Sequence, residues 1–555
     1  MFLLINCLIV NTLAAACSSA QANCVAEKCE MIGETEICTQ CQTGKVPING
    51  VCEAAASNTK CKAANGSADA DQTCKTCLLE TFMYKGGCYE IANSPGSIIC
   101  SQKGAAGICQ TCKADNGYFK NPDAANNVDS CISCGDATGV AIGSTNTKTY
   151  KGVAGCAKCD PPAQITESTG GTKEATCTEC STELYLKTVT QVTSCIAEAA
   201  CKEGNTHFPM TDSADSNKKK CLTCSTADKG GIEDCAKCSL TASSTRAGAA
   251  VTCTECTTKK LSPLKDACLT DCPAGTYAKD KVCTSCHASC ASCQDDNAES
   301  SCTACYPGSV LNQGSTAGKG PCIKECTGRY AENCEKDMCT AVLGGSKYCS
   351  KCKSGYVPVD GLCVSAGTTK AAPTGCTPGT DGTCSACKDA YFLQSGGCYL
   401  STAYPGNTLC SQATTGKCTK CANGQTADSG TGSCPACDST CKTCTTANDP
   451  TKCSACFPGY YLDSTAKACK KCSETSGDIL GVDNCISCDP PSGNQGSVTC
   501  YVKTSGGGSS DNSTGGDSGP NLSSGAIAGI SVAVIVVVGG LVGFLCWWFV
   551  CRGKA

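Results

Sequence analysis

Long apolar runs lie only at the two ends of the chain, and everything between is built from short, interrupted patches. Residues 2–10 read Phe-Leu-Leu-Ile-Asn-Cys-Leu-Ile-Val and lead into the small residues Ala14, Ala15 and Ala16. At the far end, Gly525 to Val550 is uncharged and contains the run Val532-Ala-Val-Ile-Val-Val-Val538. Between them no stretch sustains a capped helical period. Val46-Pro47-Ile48-Asn49-Gly50-Val51 and Val357-Pro358-Val359-Asp360-Gly361-Leu362 each set Asn-Gly or Asp-Gly between short apolar runs, the strongest short-range hairpin signal. The pattern predicts small modules of short β-hairpins and irregular loops, stacked into an elongated ectodomain, with one C-terminal transmembrane α-helix.

The ends fix the expected compartment. Residues 1–16 have the apolar core and the Ala14-x-Ala16 site of a secretory signal peptide, without the usual positive charge at the start. Twenty-six residues from Gly525 at about 1.5 Å rise give roughly 39 Å, enough to cross a hydrocarbon core of about 30 Å. Trp547 and Trp548 sit at the inner edge, where amphipathic rings favour the headgroup level, and Arg552 and Lys554 follow. Those charges argue against a GPI signal and predict a single-pass protein of the plasma membrane, N-terminus outside, with the five-residue cytoplasmic tail 551–555. Residues 503–524 are Gly/Ser-rich and read as a flexible linker. Asn65, Asn512 and Asn521 begin Asn-x-Ser/Thr sequons, which chance also produces in Ser/Thr-rich sequence.

Composition then changes the picture. There are 63 cysteines in 555 residues, about 11%, above the roughly 8–10% that marks a disulfide scaffold in a secreted chain. Aromatic residues are 5%, and both tryptophans lie in the last ten positions. Leu, Ile, Val and Phe are too sparse for several ordinary cores, so crosslinks or metals must replace burial. A net charge of −4 gives no basic surface for nucleic acid. Cleavage before Cys17 leaves 60 cysteines in residues 17–500, an even number that permits full pairing.

Forty of those cysteines form twenty Cys-x-x-Cys pairs, and their surroundings repeat. Cys38-x2-Cys41-x2-Gly44 through Asn49-Gly50-Val-Cys52 returns as Cys349-x2-Cys352-x2-Gly355 through Asp360-Gly361-Leu-Cys363. Cys74-x2-Cys77-x4-Phe82-x3-Gly86-Gly87-Cys88-Tyr89 returns as Cys384-x2-Cys387-x4-Phe392-x3-Gly396-Gly397-Cys398-Tyr399. A second unit, Cys283-x2-Cys286-x3-Cys290-x2-Cys293-x8-Cys302-x2-Cys305-Tyr-Pro-Gly308, matches Cys434-x2-Cys437-x3-Cys441-x2-Cys444-x8-Cys453-x2-Cys456-Phe-Pro-Gly459 without a gap. These twelve cysteines are disulfide candidates, and their spacing resembles the furin-like repeats of growth-factor-receptor ectodomains. A third unit pairs Cys156-Ala-Lys-Cys159 with Thr176-Cys-Thr-Glu-Cys180, and again Cys235-Ala-Lys-Cys238 with Thr252-Cys-Thr-Glu-Cys256. The chain divides accordingly into a signal peptide (1–16), a first Gly-Gly-Cys-Tyr unit (17–135), the third-unit repeats (136–267) and a furin-like repeat (268–321). A second Gly-Gly-Cys-Tyr unit (322–433), a second furin-like repeat with a Cys-x-x-Cys end (434–502), the linker (503–524), the span (525–550) and the tail (551–555) follow. Repeats of this kind are expected to touch mainly their neighbours.

The pairs admit several chemistries. A thioredoxin-like centre needs a βαβ context and one tuned thiolate, and neither is present. Some spacings fit all-cysteine zinc, for example Cys109, Cys112, Cys131 and Cys134, though dense cysteines produce such fits by accident and oxidation competes for the sulfurs outside the cell. Cys283-Thr-Ser-Cys286-His287 matches c-type haem attachment, which is unsurprising among twenty pairs. Gly516-Asp-Ser518-Gly-Pro520 has part of a serine-protease nucleophile sequence but lies in the linker. There is no Walker loop, zincin motif or dinucleotide fingerprint. Disulfides are the expectation for the pairs, with no catalytic residue, no cofactor and no small-molecule substrate.

The tail Cys551-Arg552-Gly553-Lys554-Ala555 directly after the span, the two Gly-Gly-Cys-Tyr sites and the Cys-x-x-Cys density together resemble the Giardia variant-specific surface proteins. That resemblance implies a trophozoite coat antigen expressed one variant at a time, facing host antibodies and underlying antigenic variation and immune evasion. It also implies palmitoylation of Cys551 and modification of Arg552, and it brings zinc binding into view. Cys551 is juxtamembrane, which by itself suits S-palmitoylation. Two further readings stand beside the coat antigen: a ligand-binding receptor or co-receptor, from the furin-like units, and a surface zinc-binding protein.

Overall fold

The computed structural model describes Cys17 and residues 21–63, 71–241, 250–314, 318–367 and 373–504. The expected signal peptide, the sequons at Asn65, Asn512 and Asn521, the serine-protease-like match, the span, Cys551 and Arg552 lie outside the described residues. Among the described residues no helix is long and apolar enough to cross a membrane.

Short antiparallel hairpins make up nearly all regular structure. The only α-helices described are Gly96–Ile99 and Glu198–Lys202. The expected turns are present. Asn49 and Gly50 have φ of 51° and 81°, and Asp360 and Gly361 have 49° and 80°. Two consecutive left-handed residues form the turn whose twist matches a two-residue hairpin. They join Lys45–Ile48 to Val51–Ala54 and Tyr356–Val359 to Leu362–Ser365.

The backbone divides into two compact units. The first consists of Met1–Ser244, Gly248–Leu261 and Lys265–Cys268, and the second is principally Leu269–Ala555. Each holds one copy of the duplicated block, with the same four-strand order. In the first unit the strand order is Val51–Ala54, Lys45–Ile48, Gly87–Glu90, Thr81–Tyr84, with Ile48 paired in parallel to Cys88. In the second it is Leu362–Ser365, Tyr356–Val359, Gly397–Leu400, Tyr391–Gln394, with Val359 paired in parallel to Cys398. Phe82 packs on Tyr89 with centroids 6.1 Å apart, and Phe392 packs on Tyr399 at 6.3 Å.

Gly50 and Gly361 are required twice over. Besides the positive φ, a Cβ at Gly50 would lie 2.5 Å from Ile37, and one at Gly361 would lie 2.2 Å from the Tyr348 ring. The hairpin turn thus lies directly against the side chain that precedes Cys38 in one copy and Cys349 in the other.

Cores are small and separate, and half-cystines line most of them. In the second unit two segments that are not neighbours along the chain also meet. Tyr306-Pro307-Gly308 and Phe457-Pro458-Gly459, the ends of the two furin-like units, come together. A Cβ at Gly459 would lie 3.5 Å from the Tyr306 ring, and one at Gly345 would lie 2.9 Å from Pro307 and 3.3 Å from Phe457. Gly275 in turn admits Tyr306 on one side and Val502 on the other. Side-chain-free positions let distant segments approach, so this unit folds back on itself. Spacing alone could not show that.

Candidate functional site: the paired-cysteine strands

Sixty described cysteines form thirty disulfides, closing loops with sequence separations between 7 and 25. No Cys-x-x-Cys pair closes on itself. In an extended segment, Cα atoms three residues apart are separated by roughly 10 Å, outside the span of about 4.4–6.8 Å that a disulfide bridges. Each pair must therefore send its two sulfurs to different partners.

One arrangement dominates. The first cysteine bonds backward and the second forward, as with Cys24–Cys38 and Cys41–Cys52, or Cys61–Cys74 and Cys77–Cys88. At Cys156/Cys159, Cys235/Cys238, Cys290/Cys293, Cys441/Cys444 and Cys485/Cys488 the two bonds cross instead. In both cases every pair joins the loop before it to the loop after it.

Strand register alone gives the wrong partners. Cys61 faces Cys77 but bonds Cys74, Cys376 faces Cys387 but bonds Cys384, and Cys410 faces Cys421 but bonds Cys418. A register shift lies within each of these hairpins. A bulge sets two residues against one and re-aims the side chains beside it, which turns the first cysteine of the pair toward the facing strand.

The twelve furin-like candidates are all paired, and the two copies share one connectivity. Cys286–Cys293 corresponds to Cys437–Cys444, and Cys290–Cys302 to Cys441–Cys453. Cys283 and Cys434 bond back to Cys272 and Cys421, while Cys305 and Cys456 bond forward to Cys322 and Cys469. The four cysteines of the zinc spacing are divided among three bonds: Cys100–Cys109, Cys112–Cys131 and Cys134–Cys159. Sulfurs of Cys109, Cys112 and Cys131 lie within 4.8 Å of one another. Cys283 and Cys286 are both in disulfides, which leaves no thiol for haem attachment, and His287 Nδ1 is 2.8 Å from Ser289 Oγ. His207, the other histidine, is shifted below its ordinary pKa by burial, with Lys187 adding to the effect.

Sequence reasoning missed the charged clusters, one of which sits in the first copy of the duplicated block. Lys85, in the turn of the first Gly-Gly-Cys-Tyr hairpin, bridges Glu30 at 2.7 Å and Asp136 at 3.3 Å. Burial alone would lower the lysine; the Glu30 hydrogen bond and the two carboxylate charges outweigh it and raise the net value. Asp129 beside it is pushed up to about 6, chiefly by burial. Ser395 occupies the equivalent turn position of the second copy, so this cluster belongs to the first unit alone. The signal was the Lys-for-Ser difference between otherwise matching repeats.

The geometry defines a class: a scaffold of bulged hairpins held by disulfides, many of which line its small, separate cores. The profile of the Giardia variant-specific surface proteins matches residues 9–208, 189–420 and 412–555. The chain belongs to that family. It is 32% identical to the major surface-labeled trophozoite antigen 417 of Giardia intestinalis, over 94% of this chain and 95% of that protein. It is 31% identical to the variant-specific surface protein VSP4A1 of the same organism, over 96% of each. Surface antigen CRP170, also from Giardia intestinalis, matches at 29% over 31% of this chain and 44% of its own length. No solved structure matches.

Proposed function

We propose that the protein is a variant-specific coat antigen of the cell surface whose role is to present a disulfide-locked, protease-resistant exterior. One observation carries this reading: every described cysteine is bonded, and no closed loop exceeds a sequence separation of 25. A protease needs a segment to leave the fold and extend into its cleft, and short crosslinked loops suppress such local opening. A loop of about 15 residues is worth ~3 kcal/mol in the chain-entropy model, although successive crosslinks do not add. The chain carries 45 Lys and Arg residues, and those within the crosslinked modules are the tryptic sites this architecture withholds.

Membership of a surface-protein family supports a place on the cell exterior. The finer topology proposed here is a single span at 525–550, N-terminus outside, with Cys551 acylated in the short tail and Arg552 modified. The reading gives the protein no catalytic role and names host antibodies as the partners it meets.

Trypsin digestion of intact and reduced ectodomain tests the proposal. Intact material should persist at least tenfold longer than reduced, alkylated material. Equal, rapid cleavage of both would sink it.

A further inference from the structure

Neighbouring disulfides are in sulfur–sulfur contact at recurring positions. Cys52 Sγ lies 3.5 Å from Cys38 Sγ, although their bonds run to Cys41 and Cys24. The same relation holds for Cys195 and Cys177 at 3.5 Å, Cys268 and Cys253 at 3.8 Å, Cys363 and Cys349 at 3.4 Å, and Cys434 and Cys418 at 3.4 Å. In each, the partner of a pair's second cysteine sits against the sulfur of its first. Thiol–disulfide exchange needs a thiolate in reach of a disulfide sulfur, and these positions supply the reach.

At the N-terminal end the contacts join three bonds in series. Cys29 Sγ lies 3.4 Å from Cys24 Sγ, so Cys17–Cys29 touches Cys24–Cys38, which touches Cys41–Cys52. Sulfurs of Cys17, Cys24 and Cys29 lie within 4.8 Å of one another, and so do those of Cys38, Cys41 and Cys52. The outer set is half-buried. The inner set is buried, with Cys38 and Cys41 at 0% exposure.

We propose that these three disulfides form an exchange relay, through which reduction of the half-buried Cys17–Cys29 bond delivers a free thiol to fully buried Cys41. An external dithiol supplies two electrons, cleaves Cys17–Cys29 and leaves as its own disulfide. The Cys29 thiolate attacks Cys24 Sγ; the Cys24–Cys29 bond forms, Cys24–Cys38 breaks, and the electron pair leaves on Cys38. The Cys38 thiolate attacks Cys52 Sγ; the Cys38–Cys52 bond forms, Cys41–Cys52 breaks, and the pair leaves on Cys41. One disulfide is lost overall, and the two thiols reside on Cys17 and Cys41. The device opens the N-terminal module to repartnering by a surface or secretory-compartment dithiol while two crosslinks remain, in the new pairings Cys24–Cys29 and Cys38–Cys52.

The test treats the full chain in detergent with limiting dithiothreitol, quenches with N-ethylmaleimide and maps peptides without reduction. Label should move from Cys29 to Cys41 with time, together with new Cys24–Cys29 and Cys38–Cys52 links. Label confined to Cys17 and Cys29, or halted at Cys38, overturns the proposal. A Cys17→Ser, Cys29→Ser double variant that keeps Cys24–Cys38 and Cys41–Cys52 should lose Cys41 labelling at least fivefold at the same dithiol concentration. Unchanged labelling would show that Cys41 is reduced directly and equally overturns the relay.

Discussion

Asp360 Oδ1 accepts the Leu400 backbone N–H at 2.8 Å across 40 residues of chain, as Asn49 Oδ1 accepts the Glu90 N–H at 2.7 Å in the first copy. The same clip fastens hairpin to hairpin twice, once with a neutral amide and once with an acid.

That difference has a pH consequence. Burial raises the Asp360 carboxyl above its ordinary value, and the Leu400 N–H offsets only part of the shift. A raised native pKa means that the folded state favours the neutral acid. The resulting stability is fully present below the unfolded pKa of about 3.9 and is lost as pH rises through the native value. Asp360→Asn should therefore raise the thermal midpoint at pH 7 and make little difference at pH 4. A variant whose advantage is the same at both pH values would contradict this account.

Gly361→Ala adds a Cβ that would lie 2.2 Å from the Tyr348 ring at a φ of +80°. Left-handed backbone and overpacking together should cost about 2–4 kcal/mol. Gly308 has a φ of +87° with nothing within 4 Å, so Gly308→Ala should cost only about 1 kcal/mol. Comparable unfolding midpoints for the two variants would refute the close-approach argument.

Gly345→Val should separate Pro307 from Phe457 and loosen the fold-back of the second unit. Overpacking of this kind typically costs about 1–3 kcal/mol. The local effect is read by hydrogen exchange, with faster exchange expected in residues 306–311 and 456–462 and none in 81–90. Uniform protection across the chain would show that the contact is dispensable.

Disulfide pairing at Cys109, Cys112, Cys131 and Cys134 predicts almost no bound zinc. Elemental analysis of ectodomain purified without chelator should give well under one zinc per chain. Added EDTA should leave the tryptic pattern unchanged. A stoichiometric, chelator-sensitive metal would assign those sulfurs to zinc instead.

Palmitoylation of the tail is tested by metabolic labelling. Cys551→Ala should abolish palmitate incorporation while surface delivery persists, and undiminished label would remove Cys551 as the acceptor.

Much of the fold was legible because turn chemistry is local. Asn49-Gly50 and Asp360-Gly361 announce their hairpins, since Asn-Gly and Asp-Gly are the pairs that most readily adopt two left-handed conformations in succession. Matching Gly-Gly-Cys-Tyr and furin-like spacings foretold two copies of each unit, and each pair of copies shares its strand order or its connectivity. Lys85 was not singled out, because its carboxylate partners come from a strand 55 residues earlier and a loop far downstream. Nor was the meeting of Tyr306 with Gly459, where the informative feature is an absent side chain.

The amino-acid sequence by itself determined the class of protein: oxidised extracellular modules of short hairpins, because cysteine is abundant where core-forming residues are scarce. That no Cys-x-x-Cys closes on itself follows from the extended backbone the structure gives each pair. Which sulfur meets which was decided only in three dimensions. Bulges within the hairpins turn cysteines away from the residues they directly oppose, so Cys61 bonds Cys74 and Cys376 bonds Cys384 although Cys77 and Cys387 face them.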